Sequence, residues 1–236
     1  MYQGKIKSAI DHLKEGIEFR TIIGNGLSTA RDRMYLASAF LSEGSYDQAE
    51  QQIVEVDKIG QITYLAPYYL MIWGNLCIQN NHLEKAKEIN RLLASRINPK
   101  NDRDKAIHAA LSGSILVASD SLLKGIELFE SALRFSEEDL IKGQLANAYF
   151  QSDRNSEKAE VLFKEIIRDK KIVGFEGQQI YLSGHLRLAE IYENRGQVED
   201  AINYYKAYLS LMKNADNDLP VIQQIENKLE QYYIRG

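Results

Sequence analysis

One unit of this chain repeats along its length, and that repetition limits the folds open to it more than any other feature. Residues 36–56 read LASAFLSEGSYDQAEQQIVEV: Leu36-Ala37, Phe40, Gly44, Tyr46, Ala49 and Ile53 at fixed offsets. The same frame returns as Leu188-Ala189, Tyr192, Gly196, Val198, Ala201 and Tyr205. Looser copies run through Trp73-Gly74, Cys77, Leu83 and Ala86, through Gly113, Leu116, Gly125 and Phe129, and through Leu145-Ala146, Tyr149, Ala159 and Phe163. Counting Ala9, the small anchors Ala9, Ala49, Ala86, Gly125, Ala159 and Ala201 stand 40, 37, 39, 34 and 42 residues apart. A period of this size is the mark of a stacked array, in which each unit buries its apolar face only against its neighbours.

Each half of the unit places apolar residues at the helical period, as in Leu182, His185 or Leu186, Leu188 or Ala189, and Tyr192. Breakers separate the halves: Gly24-Asn25-Gly26, Glu43-Gly44, Asn80-Asn81, Asn98-Pro99 and Arg195-Gly196. No segment alternates with period two, so no sheet is expected. Two helices approach to about 8–10 Å where a small side chain stands at the crossing, which explains Ala49 facing Phe40 and Ala201 facing Tyr192.

The pattern resembles the tetratricopeptide repeat (TPR), a pair of antiparallel helices with a period near 34 and small residues where the helices touch. The resemblance implies an all-α fold, a right-handed superhelical solenoid of helix pairs with a capping helix at its C-terminal end. On this reading residues 4–22 are the second helix of a truncated repeat. Repeats then follow at 27–60, 63–98, 102–135, 137–170 and 177–213, and 218–233 forms the cap, with Asp218 as its N-cap and Pro220 in its first turn. GKIKSAIDHL at 4–13 matches GQVEDAINYY at 196–205, a stretch that lies inside a repeat. The expectation is therefore a segment of a longer protein, cut within a repeat, with one face of Ile6, Ala9, Ile10, Leu13 and Ile17 partly uncovered and open to self-association. The ending NADNDLPVIQQIENKLEQ resembles the tail of repeat arrays appended to bacterial serine/threonine kinases, cyclases and related signalling proteins.

Composition restricts function. Net charge is −4, which argues against a nucleic-acid partner. A single cysteine, Cys77, excludes an internal disulfide framework and fits a reducing, cytoplasmic setting. The uncharged stretch 62–78 is 17 residues long and holds Pro67 and Asn75, which suits a buried helix better than a membrane span.

Catalytic, cofactor and metal sites are not expected. His12, His82, His108 and His185 have no second ligand at helical spacing. His185 reads as a satisfied core or boundary residue, and Cys77 fills the slot held elsewhere by Phe40, Leu116 and Tyr192. Gly24-Asn25-Gly26 lacks the Lys-Ser/Thr of a phosphate loop and reads as a helix-ending turn. In TPR proteins the first helix of each pair lines a concave groove. The resemblance places Met34, Ser38, Leu41, Met71, Asn75, Ile78, Ala110, Ser114, Val117, Gly143, Asn147, Phe150, Leu186, Glu190 and Glu193 there, a mostly apolar groove turning acidic at its far end. Arrays that hold acidic chaperone tails pair an asparagine with Lys or Arg. Asn75 and Asn147 match the asparagine position, but no basic residue is expected beside them. The expected function is a non-enzymatic interaction module that holds a partner peptide or helix in the groove. The alternative is a regulatory or sensory region of a larger bacterial signalling enzyme whose catalytic domain lies outside the chain.

Overall fold

A computed structural model describes residues 4–60, 62–152, 156–169, 174–216 and 219–235. The chain is all-α, with no strand among the described residues. It divides into two compact units, residues 6–136 and residues 137–236 together with 1–5.

The first unit contains α1 (Ile6–Ile22), α2 (Gly26–Glu43), α3 (Tyr46–Asp57), a short 3-10 turn (Ile62–Tyr64), α4 (Pro67–Gln79), α5 (Leu83–Arg96), α6 (Asp102–Ala118) and α7 (Leu122–Phe135). Neighbours pair as α2 with α3, α4 with α5 and α6 with α7, while α4 also packs on both α2 and α6. The second unit contains α8 (Asp139–Gln151), α9 (Ser156–Asp169), α10 (Gly174–Asn194), α11 (Val198–Leu211) and α12 (Pro220–Arg235). There α8 pairs with α9 and α10 with α11, α10 packs on α8 and α9, and α12 lies on α11. Gly4 belongs to this unit, its carbonyl accepting from the Asp216 N–H at 3.0 Å.

One turn geometry recurs between paired helices. The backbone N–H five residues on donates to the carbonyls of Phe40, Cys77, Leu116 and Tyr192, from Ser45 (2.8 Å), His82 (2.7 Å), Ser121 (2.8 Å) and Gln197 (2.9 Å). The residue just before each donor is left-handed: Gly44 (φ 84°), Asn81 (φ 62°), Asp120 (φ 58°) and Gly196 (φ 71°). Glycine adopts that region without strain, and Asn and Asp tolerate it better than other residues, so the turn survives where glycine is absent. At helix starts, Asn25 Oδ1 accepts from the Ser28 N–H (3.2 Å), and Asn101 Oδ1 accepts from Arg103 (3.0 Å) and Asp104 (3.4 Å). Pro67 and Pro220 open α4 and α12, where no N–H is needed. The expected Asp218 cap lies outside the described residues.

The small anchors stand at the crossings. Ala49, Ala86, Ala159 and Ala201 are completely buried. Between α6 and α7 two glycines meet: a Cβ on Gly125 would meet Val117 Cγ2 at 2.5 Å and the Gly113 carbonyl oxygen at 2.9 Å, and one on Gly113 would meet the Gly125 oxygen at 3.1 Å. The uncharged stretch 62–78 becomes the 3-10 turn and most of α4, and no helix among the described residues is long and apolar enough to cross a membrane.

The N-terminal face is more covered than the sequence suggests. α1 packs along α2, Ile6, Ile10 and Ile17 are buried, and Ala9 and Leu13 are half-buried. The apolar exposure on this segment lies instead at Phe19, Ile22 and Ile23.

Candidate binding surface

The TPR resemblance places fifteen positions of α2, α4, α6, α8 and α10 on a groove surface. The structure moves several of them inside. Met34 is 1% exposed and Met71 is 0% exposed, so both are core residues with no surface to offer a partner. Ala110 and Gly143 are buried as well. The reason is that the first helix of a pair is enclosed on several sides. α4 touches α2, α5 and α6, and a helix with neighbours all round buries residues on most of its circumference. Ser38, Leu41, Asn75, Ile78, Ser114 and Val117 remain half-buried in the first unit, and Asn147, Phe150, Leu186, Glu190 and Glu193 in the second. In the first unit, Asn75 Nδ2 is buried without a hydrogen-bond acceptor.

Three of the selected residues converge in the second unit through a fourth that the spacing passed over. Arg187 Nε donates to Asn147 Oδ1 at 3.3 Å, and Arg187 Nη1 donates to Glu190 Oε2 at 2.6 Å. The guanidinium carbon stands 5.1 Å from the centre of the Phe150 ring. Asn147 is fixed in turn by its own donation from Nδ2 to the Gly143 carbonyl at 2.9 Å. The expectation that no basic residue stands beside Asn147 is therefore wrong. Arg187 lies one residue beyond Leu186, off the i, i+4, i+7 line, and its long stem carries the charge back across α8.

The expected acidic end is neutralised. Glu190 is engaged by Arg187, and Glu193 accepts from Lys228 Nζ (2.5 Å), Tyr232 OH (2.6 Å) and Tyr205 OH (2.8 Å). Desolvation raises the Glu193 pKa, but these bonds outweigh it and hold the carboxyl below the usual range. Glu193 thus joins α10 to α11 and α12 and is not a free groove charge. Glu160 does the same for α9 and α10. It accepts from Lys164 Nζ (2.6 Å), Tyr192 OH (2.7 Å) and Arg195 Nη1. Burial opposes the charge, yet the bonds prevail and bring its pKa down to about 2.

His185 is not satisfied. Its ring lies 5.1 Å from that of Tyr181 and 6.3 Å from that of Tyr204, and both nitrogens are buried without a hydrogen-bond partner. Burial lowers its pKa. Cys77 is fully buried, and burial pushes its thiol up to about 12, so the thiolate that would react or ligate is suppressed. Among the described residues no cluster of His, Cys, Asp and Glu has the geometry to hold a metal ion. No family model and no curated protein matches the chain.

Proposed function

We propose that the chain is an array of TPR-like helix pairs, forming a right-handed solenoid, that works as a non-enzymatic interaction module and holds a partner peptide or helix against its first helices. Support for the array comes from the five helix pairs, the packing of first helix on first helix within each unit, and the repeated turn accepted by Phe40, Cys77, Leu116 and Tyr192. The observation that carries the binding reading is the Asn147–Arg187–Glu190 group beside Phe150. Arginine and aromatic residues dominate binding hot spots because they combine area with directed bonds. Here Asn147 pre-orients Arg187, so little side-chain freedom remains to be lost when a partner docks. A partner carboxylate would compete with Glu190 for the guanidinium while an apolar side chain packs on Phe150.

The test is selection from a random peptide library displayed on phage, using the whole chain as bait. Enriched peptides should carry an acidic residue next to an apolar one. Their binding should fall at least about tenfold in Phe150→Ala and in Arg187→Ala, the size expected of a hot-spot residue, with helicity unchanged. An absence of enrichment, or enriched peptides indifferent to both substitutions, sinks the reading.

A further inference from the structure

A cleft of about 320 Å³ opens in the first unit between the end of α1, the first turns of α2 and the end of α3. That volume is at the lower end for small-molecule sites. The chain as a whole carries a net charge of −4, yet here three cations, Arg20, Arg33 and Lys58, line the same space as one carboxylate, Glu55. The turn at 24–26 is not the attraction. The Gly24, Asn25 and Gly26 N–H groups all donate to main-chain carbonyls, at 3.1, 2.9 and 3.1 Å. Any pull on a ligand comes from the side chains.

Arg33 is the residue that calls for an anion. Its side chain is only 20% exposed. Among the described residues its hydrogen bond goes from Nη1 to the neutral Gln52 Oε1, at 2.7 Å. Glu55 Oε2 stands 3.9 Å from Arg33 Nη2, too far for a hydrogen bond, and the other Glu55 oxygen accepts from Lys58 Nζ at 2.6 Å. A cation largely removed from water without a hydrogen-bonded counter-charge is costly, and an anion in the cleft would complete it. The neighbours have donors to spare. Arg20 is held by Asp32 through Nη1 alone, at 2.7 Å, and Lys58 gives Glu55 one of its three N–H groups. A carboxylate offers two oxygens, which a single guanidinium fork occupies. A phosphate monoester offers three oxygens and up to two charges, enough for cations arriving from three helices.

We propose that this cleft binds a small phosphate monoester, its terminal oxygens accepting from Arg20, Arg33 and Lys58 and its body lying toward Ile59. The phosphate group fills only part of the volume and competes with Glu55 for Lys58. Every residue of the site belongs to the first unit, and the proposal does not rest on the peptide-binding reading.

Phenyl phosphate at neutral pH is the probe, titrated into the ¹⁵N-labelled whole chain, with benzoate and phenol as its carboxylate and uncharged counterparts. Phenyl phosphate should bind saturably, move the Gly24, Gly26 and Lys58 amide peaks, and bind about tenfold or more tighter than benzoate, with phenol inert. Arg33→Gln should weaken it about tenfold or more, the size of one charge-assisted hydrogen bond, with helicity retained. Lys58 is 65% exposed, so Lys58→Gln should fold and should also weaken binding, and the test does not hang on Arg33→Gln folding. Glu55→Gln removes the competing carboxylate and should tighten binding, an effect that a purely structural ion pair would not give. Arg168→Gln, at a cation 74% exposed in the other unit, should change nothing. The proposal is overturned by an absence of saturable binding, or by benzoate binding as tightly as phenyl phosphate. Wild-type affinity in Lys58→Gln, no tightening in Glu55→Gln, or an equal loss in Arg168→Gln, which would mean general attraction of anions, overturns it as well.

Discussion

Two adjacent residues, Tyr149 and Phe150, have opposite roles in α8. Tyr149 is buried in the pair's core, whereas Phe150 is half-buried with Arg187 over its ring. Tyr149→Ala should lower stability by about 3 kcal/mol or more in chemical denaturation, the range for a large core aromatic. Phe150→Ala should cost about 1 kcal/mol, mainly its cation–π contact. Equal losses would place Phe150 in the core and remove it from the binding surface. At His185 the burial of both ring nitrogens opposes protonation. The unfolded chain, with an ordinary histidine pKa near about 6.5, binds the proton more readily. The stability tied to neutral His185 is therefore complete above that pH and is lost as pH falls below it. Thermal unfolding followed from pH 7.5 to pH 5.5 should show Tm falling, and His185→Phe should flatten the slope. His108, also lowered by burial, leaves a residual slope. A wild-type Tm that does not change over that range refutes the argument.

At the scale of elements, α12 depends on a polar fastening. Leu219, Ile225 and Leu229 are buried, but Lys228 and Tyr232 both bond Glu193 of α10. Glu193→Gln keeps the shape and removes the charge. Amide exchange across 220–232 should then quicken about tenfold or more, the order of one charge-assisted bond, while α6 is unchanged. Unaltered exchange in α12 would mean that its apolar contacts suffice. Helices, crossings and turns were legible in the sequence because each rests on local rules: Ala49 and Ala201 at crossings, Gly44 and Gly196 at turns. The left-handed Asp120 was not, since Ser119-Asp120 carries no strong breaker signal. Arg187 was missed for a different reason. Spacing tells where a Cβ points but not how far a long side chain reaches. Met34 and Met71 were misplaced because a helix enclosed by neighbours gives little periodic contrast between its faces.

Across the whole molecule, the carboxylates that most join helices, Glu160 and Glu193, both belong to the 137–236 unit. The hydrogen bonds that bring the Glu160 pKa down to about 2, from the 4.5 of an unperturbed glutamate, mean its contribution is present above pH 4.5 and lost as pH falls toward 2. Trp73 lies in the other unit and reports on that unit alone. Acid titration should therefore lose helical signal before the tryptophan emission shifts. Coincident curves would show a single cooperative transition and contradict this separation. The glycine pair at the α6–α7 crossing has a consequence for how such a chain can change over time. The obstacle facing a side chain at Gly113 or Gly125 includes the other residue's main-chain oxygen, which is present whatever residue stands there. A change at one position thus cannot be rescued by a change at the other. Ordinary core neighbours can drift together by exchanging volume, but these two have no such route. Among relatives they should remain fixed after the packing around Trp73 or Phe163 has been rewritten.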